Sequence, residues 1–203
     1  MKNIILFVLA AMWVFQSCTQ SAADLEADNS AQQFFSNQEL RGIEAMIGFV
    51  DKKVTEQTGI ADVNRAYHNY FEGLQVYIKD GKMFPALVSD SLRSGFLGNL
   101  NREAFSAIWQ MTDKRGLTFR NKSSYLAYLE QTAATDEKYN MLHESITIAG
   151  DMGPAIVAWF PMHHNEFDFT IFKDRLLAVA FILRCGGPRD DQRDVLPKET
   201  TEN

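Results

Sequence analysis

The chain has 203 residues, 46% of them hydrophobic, with 20 basic side chains against 26 acidic ones and a formal charge of −6. An acidic body with no basic patch interleaved with aromatics argues against gripping a phosphate backbone, so nucleic acid is not an expected partner. Its two cysteines, Cys18 and Cys185, supply no disulfide framework, and the fold must rest on a hydrophobic core.

The first 17 residues read as a signal rather than as fold. Lys2 gives a short positive start, and Ile4 to Phe15 is an apolar run too short to span a bilayer as a stable helix. Ser17 and Cys18 follow directly. This segment resembles the lipobox of bacterial lipoproteins, in the loose Ser-Cys form of the Bacteroidetes. Phe15 stands where leucine is usual, and Gln16 is atypical beside Ser17. The resemblance covers the signal region alone. It implies that Cys18 is acylated and becomes the mature N-terminus, which ties the protein to a membrane face in the cell envelope, outside the cytoplasm. Two or more acyl chains anchor firmly where one is marginal. Simple cleavage near Ser21 to Ala23, or an uncleaved anchor, are the other readings of the same residues. Asp24, Glu26 and Asp28 also resemble, weakly, the acidic segments of surface-exported lipoproteins. Loss of Lys2 with the signal makes the remaining charge about −7.

Residues 18–34 are polar and alanine-rich and read as a tether. Residues 35–187 read as one helical domain, and 188–203 as a charged, disordered tail. Within the domain, Ser36 and Glu39 form a capping-box pattern ahead of a helix from Asn37 to Gln57, striped by Leu40, Ile43, Met46, Ile47, Val50 and Val54. Thr58-Gly59 stops it. Asp62 caps a second helix through Ile78, and Asp80-Gly81 turns the chain. Pro85 to Leu92 reads as a third helix, with a break at Gly95 and Gly98. Asn101 caps a short helix reaching Gln110. Leu117 to Arg120 is weakly extended, but no partner strand is evident and no sheet is expected.

Ser123 or Ser124 caps the next helix, and Thr135 the one from Asp136 to Ala149. Pro154 to Phe160 is a short apolar run, helical or extended, closed by Pro161. A last helix begins at Asn165 or Asp168 and runs to Arg184, apolar around most of its circumference. Gly186, Gly187 and Pro188 end it. The expected fold is all-α: an irregular multi-helix bundle of six to eight helices around this apolar C-terminal helix.

Sites of chemistry are few. His163, His164 and Glu166 in the segment PMHHNEFDF, with Asp168 nearby and His143 approaching through tertiary folding, are the only metal-ligand candidates. Adjacent histidines need an irregular backbone to converge, and neither H-E-x-x-H nor a di-iron E-x-x-H pair is present, so a polar loop and helix start is the plainer reading. His68 and Glu72, four apart, can face each other as a surface pair. Cys185 reads as a small apolar filler. No G-x-S-x-G, P-loop or dinucleotide-binding glycine pattern occurs, and no cofactor is called for. Tyr67, Tyr70, Tyr77, Tyr125, Tyr128 and Trp159 either line a groove for an apolar ligand or fill the core. The functional expectation is a non-enzymatic lipoprotein that binds another protein as a subunit, inhibitor or immunity-type factor. Small-ligand binding and metal-dependent hydrolysis are the alternatives.

Overall fold

In the computed structural model, residues 30–82, 84–100, 102–112 and 116–185 are described. The signal, Cys18, most of the tether and the charged tail lie outside them. Among the described residues are eight α-helices and one two-stranded sheet, an all-α bundle with a small hairpin. No helix among them is long and apolar enough to cross a membrane.

A 3-10 turn, Ala31–Gln33, buries Ala31 and leads into Phe34 and Phe35. The first long helix, α1 (Asn37–Thr58), is capped as its sequence dictates. Ser36 Oγ accepts from the Glu39 amide at 3.2 Å, and the Glu39 carboxylate accepts from the Ser36 amide at 2.7 Å. The other Glu39 oxygen accepts from Ser124 Oγ at 2.9 Å, which ties the cap to a later helix. Ile43, Met46, Ile47, Val50 and Val54 are fully buried. Gly59 closes α1 in the left-handed region (φ 69°), where a side chain would be strained. Asp62 then caps α2 (Val63–Lys79) by accepting from the Arg65 amide at 2.8 Å.

Residues 85–89 are not helical, and the third helix, α3, is Asp90–Asn99. The expected helix from Pro85 and break at Gly95 are therefore both displaced. Ser89 can cap a helix where Phe84, the residue before Pro85, cannot, and its hydroxyl accepts from the Leu92 amide at 3.4 Å. Tertiary contacts then carry the helix through its glycines. Phe96 stacks on Phe49 of α1 at 4.2 Å, and Arg93 donates to the Leu183 carbonyl at 3.2 Å.

The hairpin also departs from expectation. The helix α4 (Arg102–Ile108) stops before Trp109, and β1 (Trp109–Thr112) pairs antiparallel with β2 (Gly116–Phe119), Trp109 opposite Phe119. Trp109 fits the end of a helix or the start of a strand equally well. What decides is the partner on β2: its ring lies 4.8 Å from that of Phe119, which stacks on Tyr125. A lone hairpin is marginal in water, and this one leans on the helices.

Beyond it come α5 (Ser124–Ala133), packed on α6 (Glu137–Ala149), then α7 (Pro154–Met162), which packs on α2. The ambiguous apolar run is thus a helix, with Pro154 in its first turn and Pro161 tolerated in its last. The final helix, α8 (Phe172–Cys185), starts later than Asn165 or Asp168. Asp168 folds its carboxylate back onto Thr170, accepting from its amide at 2.9 Å and its hydroxyl at 2.6 Å, so residues 168–170 form a tight turn instead of a helical one. From Leu176 to Leu183 every side chain is buried. Phe181 meets Phe71, Phe84 and Phe160, Phe172 meets Tyr128, and α1 lies alongside. The apolar C-terminal helix is the centre of the bundle, each large side chain contributing roughly 1.5–3 kcal/mol of burial.

Candidate functional site: the polar row of α2

The end of α7 and the linker that leads to α8 lie against one row of polar side chains on α2. Asn64, His68 and Gln75 recur at steps of four and seven, so they share a helix face. Gln75 donates from Nε2 to the Pro161 carbonyl at 3.1 Å. Asn64 Oδ1 accepts from the Phe169 amide at 2.8 Å. Between them, His68 Nδ1 meets His164 Nδ1 at 3.0 Å. A 3-10 turn, His164–Glu166, carries the second imidazole inward, where it is 4% exposed. His68 is half-buried, with its ring against Phe169 at 4.9 Å.

One proton sits between the two rings: one Nδ1 donates and the other accepts. Burial lowers the pKa of both imidazoles from the usual histidine value. Asp168 acts in the opposite direction on His68, and Glu72 on His164, while the charge of His68 further lowers His164. Hydrogen bonds from the Thr170 hydroxyl and amide hold the Asp168 carboxyl below its usual range.

The residues singled out in the sequence disperse around this pair. His163 turns away from His164: its ring stacks on Trp159 at 4.7 Å and its Nδ1 donates to the Trp159 carbonyl at 2.9 Å. The Glu166 side chain is exposed, and its carbonyl accepts from Lys138 at 2.7 Å. His143 stays on α6, 3.3 Å from Thr147 Oγ1. Among the described residues, no three His, Cys, Asp or Glu side chains gather as a metal ion requires. His164 is therefore the one candidate with an imidazole partner, and that partner is His68, which sequence reasoning had paired with Glu72. The signal for it was present: a polar row at helix spacing beside the buried stripe of Ala66, Tyr67, Phe71 and Leu74.

The aromatic candidates are spread over several clusters. Tyr67 is fully buried and donates to Asp51 at 2.8 Å; burial, reinforced by the Asp51 charge, pushes its phenol pKa up. Tyr70 sits edge-on to Phe71, and Tyr77 is half-buried. Tyr125 stacks on Phe119, and Tyr128 meets Phe34, Phe35 and Phe172. Trp159 lies on His163 and Phe167. The Tyr125 hydroxyl, Trp109 Nε1 and Thr118 Oγ1 are buried without a hydrogen-bond partner among the described residues. Cys185 is half-buried at the end of α8.

No family profile, no curated protein and no solved structure matches this chain.

Proposed function

We propose that this chain is a non-enzymatic envelope lipoprotein, anchored through acylated Cys18, whose helical body binds another protein as a subunit, inhibitor or immunity-type factor. The observation that carries the reading is the outer face of α6. Met141 and Ile148 stand seven residues apart, two turns along one face, and are 37% and 86% exposed. By contrast, the buried ionic groups of the body are engaged internally: Asp51 with Tyr67, Asp174 with Tyr139, and Arg184 with Asp151. Two large apolar side chains left in water on one helix face, with the polar Glu144 and Ser145 between them and the buried polar chemistry consumed, favour recognition over catalysis.

The test has two parts. Replacing Cys18 by Ala should move the protein from the membrane to the soluble fraction, and the mass of the wild-type N-terminus should show the acyl chains. The full precursor, purified from its own cells in mild detergent, should retain one protein at near-equal stoichiometry after a salt wash. The double variant Met141→Glu, Ile148→Glu should lose that protein while keeping its thermal midpoint. A chain that purifies alone, or a partner retained equally by the double variant, rejects the reading.

A further inference from the structure

Of the three polar contacts that hold the end of α7 and the linker after it on α2, two are indifferent to pH. Asn64 and Gln75 are neutral amides, and they pin Phe169 and Pro161 at the two ends of the segment. The middle contact is the imidazole pair. At 3.0 Å between Nδ1 atoms there is room for one proton. Two neutral rings satisfy the contact. So does a pair carrying one extra proton, because that proton occupies an outer Nε2. Two protonated rings would set N–H against N–H and charge against charge, and the contact cannot form.

We infer that the His68–His164 contact is an acid-released latch: on the second protonation the turn His164–Glu166 lifts from α2 while Asn64 and Gln75 hold its flanks. The charged groups around the pair fix where this happens. Glu72 on α2 acts on His164, and Asp168 on the linker acts on His68, with Arg175 of α8 acting in turn on Asp168. Lys138 of α6 holds the Glu166 carbonyl, and His163 is turned onto Trp159 of α7. The two carboxylates favour the first proton on the pair. They do not stand between the rings, so the second still meets the first ring's charge at close range. Burial of both rings places this step below the ordinary histidine value of about 6.5.

The turn has its own reporters. The Glu166 amide donates to the His163 carbonyl at 2.9 Å, and the Phe167 amide to the His164 carbonyl at 3.3 Å. Hydrogen exchange of the full chain in detergent micelles should be followed from pH 7.5 to 5. After correction for the intrinsic rate, exchange at these two amides should rise about tenfold per unit of pH below the second protonation, while α1 amides stay protected. In His68→Asn the amide can donate to neutral His164 or accept from the protonated ring, so the excess exchange should vanish. Absence of the excess in the wild type, an equal excess in His68→Asn, or loss of α1 protection at the same pH would each overturn the latch.

Discussion

Two buried polar clusters flank Phe169, and they are built on opposite plans. On one side lies the start of α8. Asp174 is 1% exposed and accepts from the Tyr139 hydroxyl and from the Asp168 amide, the latter at 2.6 Å. Lys138 stands 3.7 Å from the same carboxylate. Next to it, Arg175 donates to the Phe169 carbonyl at 2.6 Å and pairs with Asp51 at 3.7 Å, which in turn takes the Tyr67 hydroxyl. On the other side lies the histidine pair, where two neutral rings share one proton. The first cluster pairs opposite charges and satisfies them from several elements. The second has no opposite charge between its members. Burial therefore rigidifies the first and sensitises the second.

Breaking the charged cluster should produce the largest effect. Asp174→Ala strips the partner from the Tyr139 hydroxyl and the Asp168 amide and removes one of the carboxylates beside Lys138. Removing one side of a buried ionic network costs roughly 3–5 kcal/mol, and urea unfolding should show a loss of that size. A loss under 1 kcal/mol would mean that water reaches the site and that the two clusters are not different in kind.

The histidine pair should give a smaller, pH-dependent effect. Both folded-state pKa values are lowered, mainly by burial, so between the folded and unfolded values the unfolded chain binds more protons. The pair's contribution is thus complete above about pH 6.5, the unfolded histidine value. It declines as the pH falls through the folded-state values. Denaturant midpoints taken at pH 7.5, 6.5 and 5.5 should fall for the wild type and fall less for His68→Asn. Equal slopes in the two proteins would show that other groups, such as the carboxylates, set the acid limit.

The contrast also explains what the sequence could reveal. Elements fixed by local chemistry were legible: the Ser36–Glu39 box, the Asp62 cap and the apolar stripes of α1, α2 and α8 all form where their residues predict. Elements decided by distant partners were not. Trp109 becomes a strand residue because Phe119 pairs with it from β2, and α8 starts late because Asp168 binds Thr170. Asp174 and Arg175 read as polar interruptions in an apolar helix, since nothing local shows that Tyr139 and Asp51 will reach them. The candidate site was half legible for the same reason. His164 stood out by type and context, but its companion sits 96 residues away on another helix.

The smallest expected effect concerns α3, the helix whose placement most depended on tertiary contacts. Phe96 on Phe49 and Arg93 on Leu183 hold it, and none of its described side chains is fully buried. Gly95 and Gly98 sit within it at negative φ, and a Cβ at either would meet nothing within 4 Å. Glycine in a helix interior costs roughly 0.5–1 kcal/mol relative to alanine, mainly through the freedom it gives the unfolded chain. Gly95→Ala and Gly98→Ala should therefore each stabilise the protein by up to about 1 kcal/mol, with no change at the histidine pair. Hydrogen exchange would locate the gain: slower opening of α3 alone means that it opens independently of the core. Slowing across α8 as well would mean that α3 opens with the centre of the bundle and belongs to its cooperative core, a finding that the thin packing of α3 argues against.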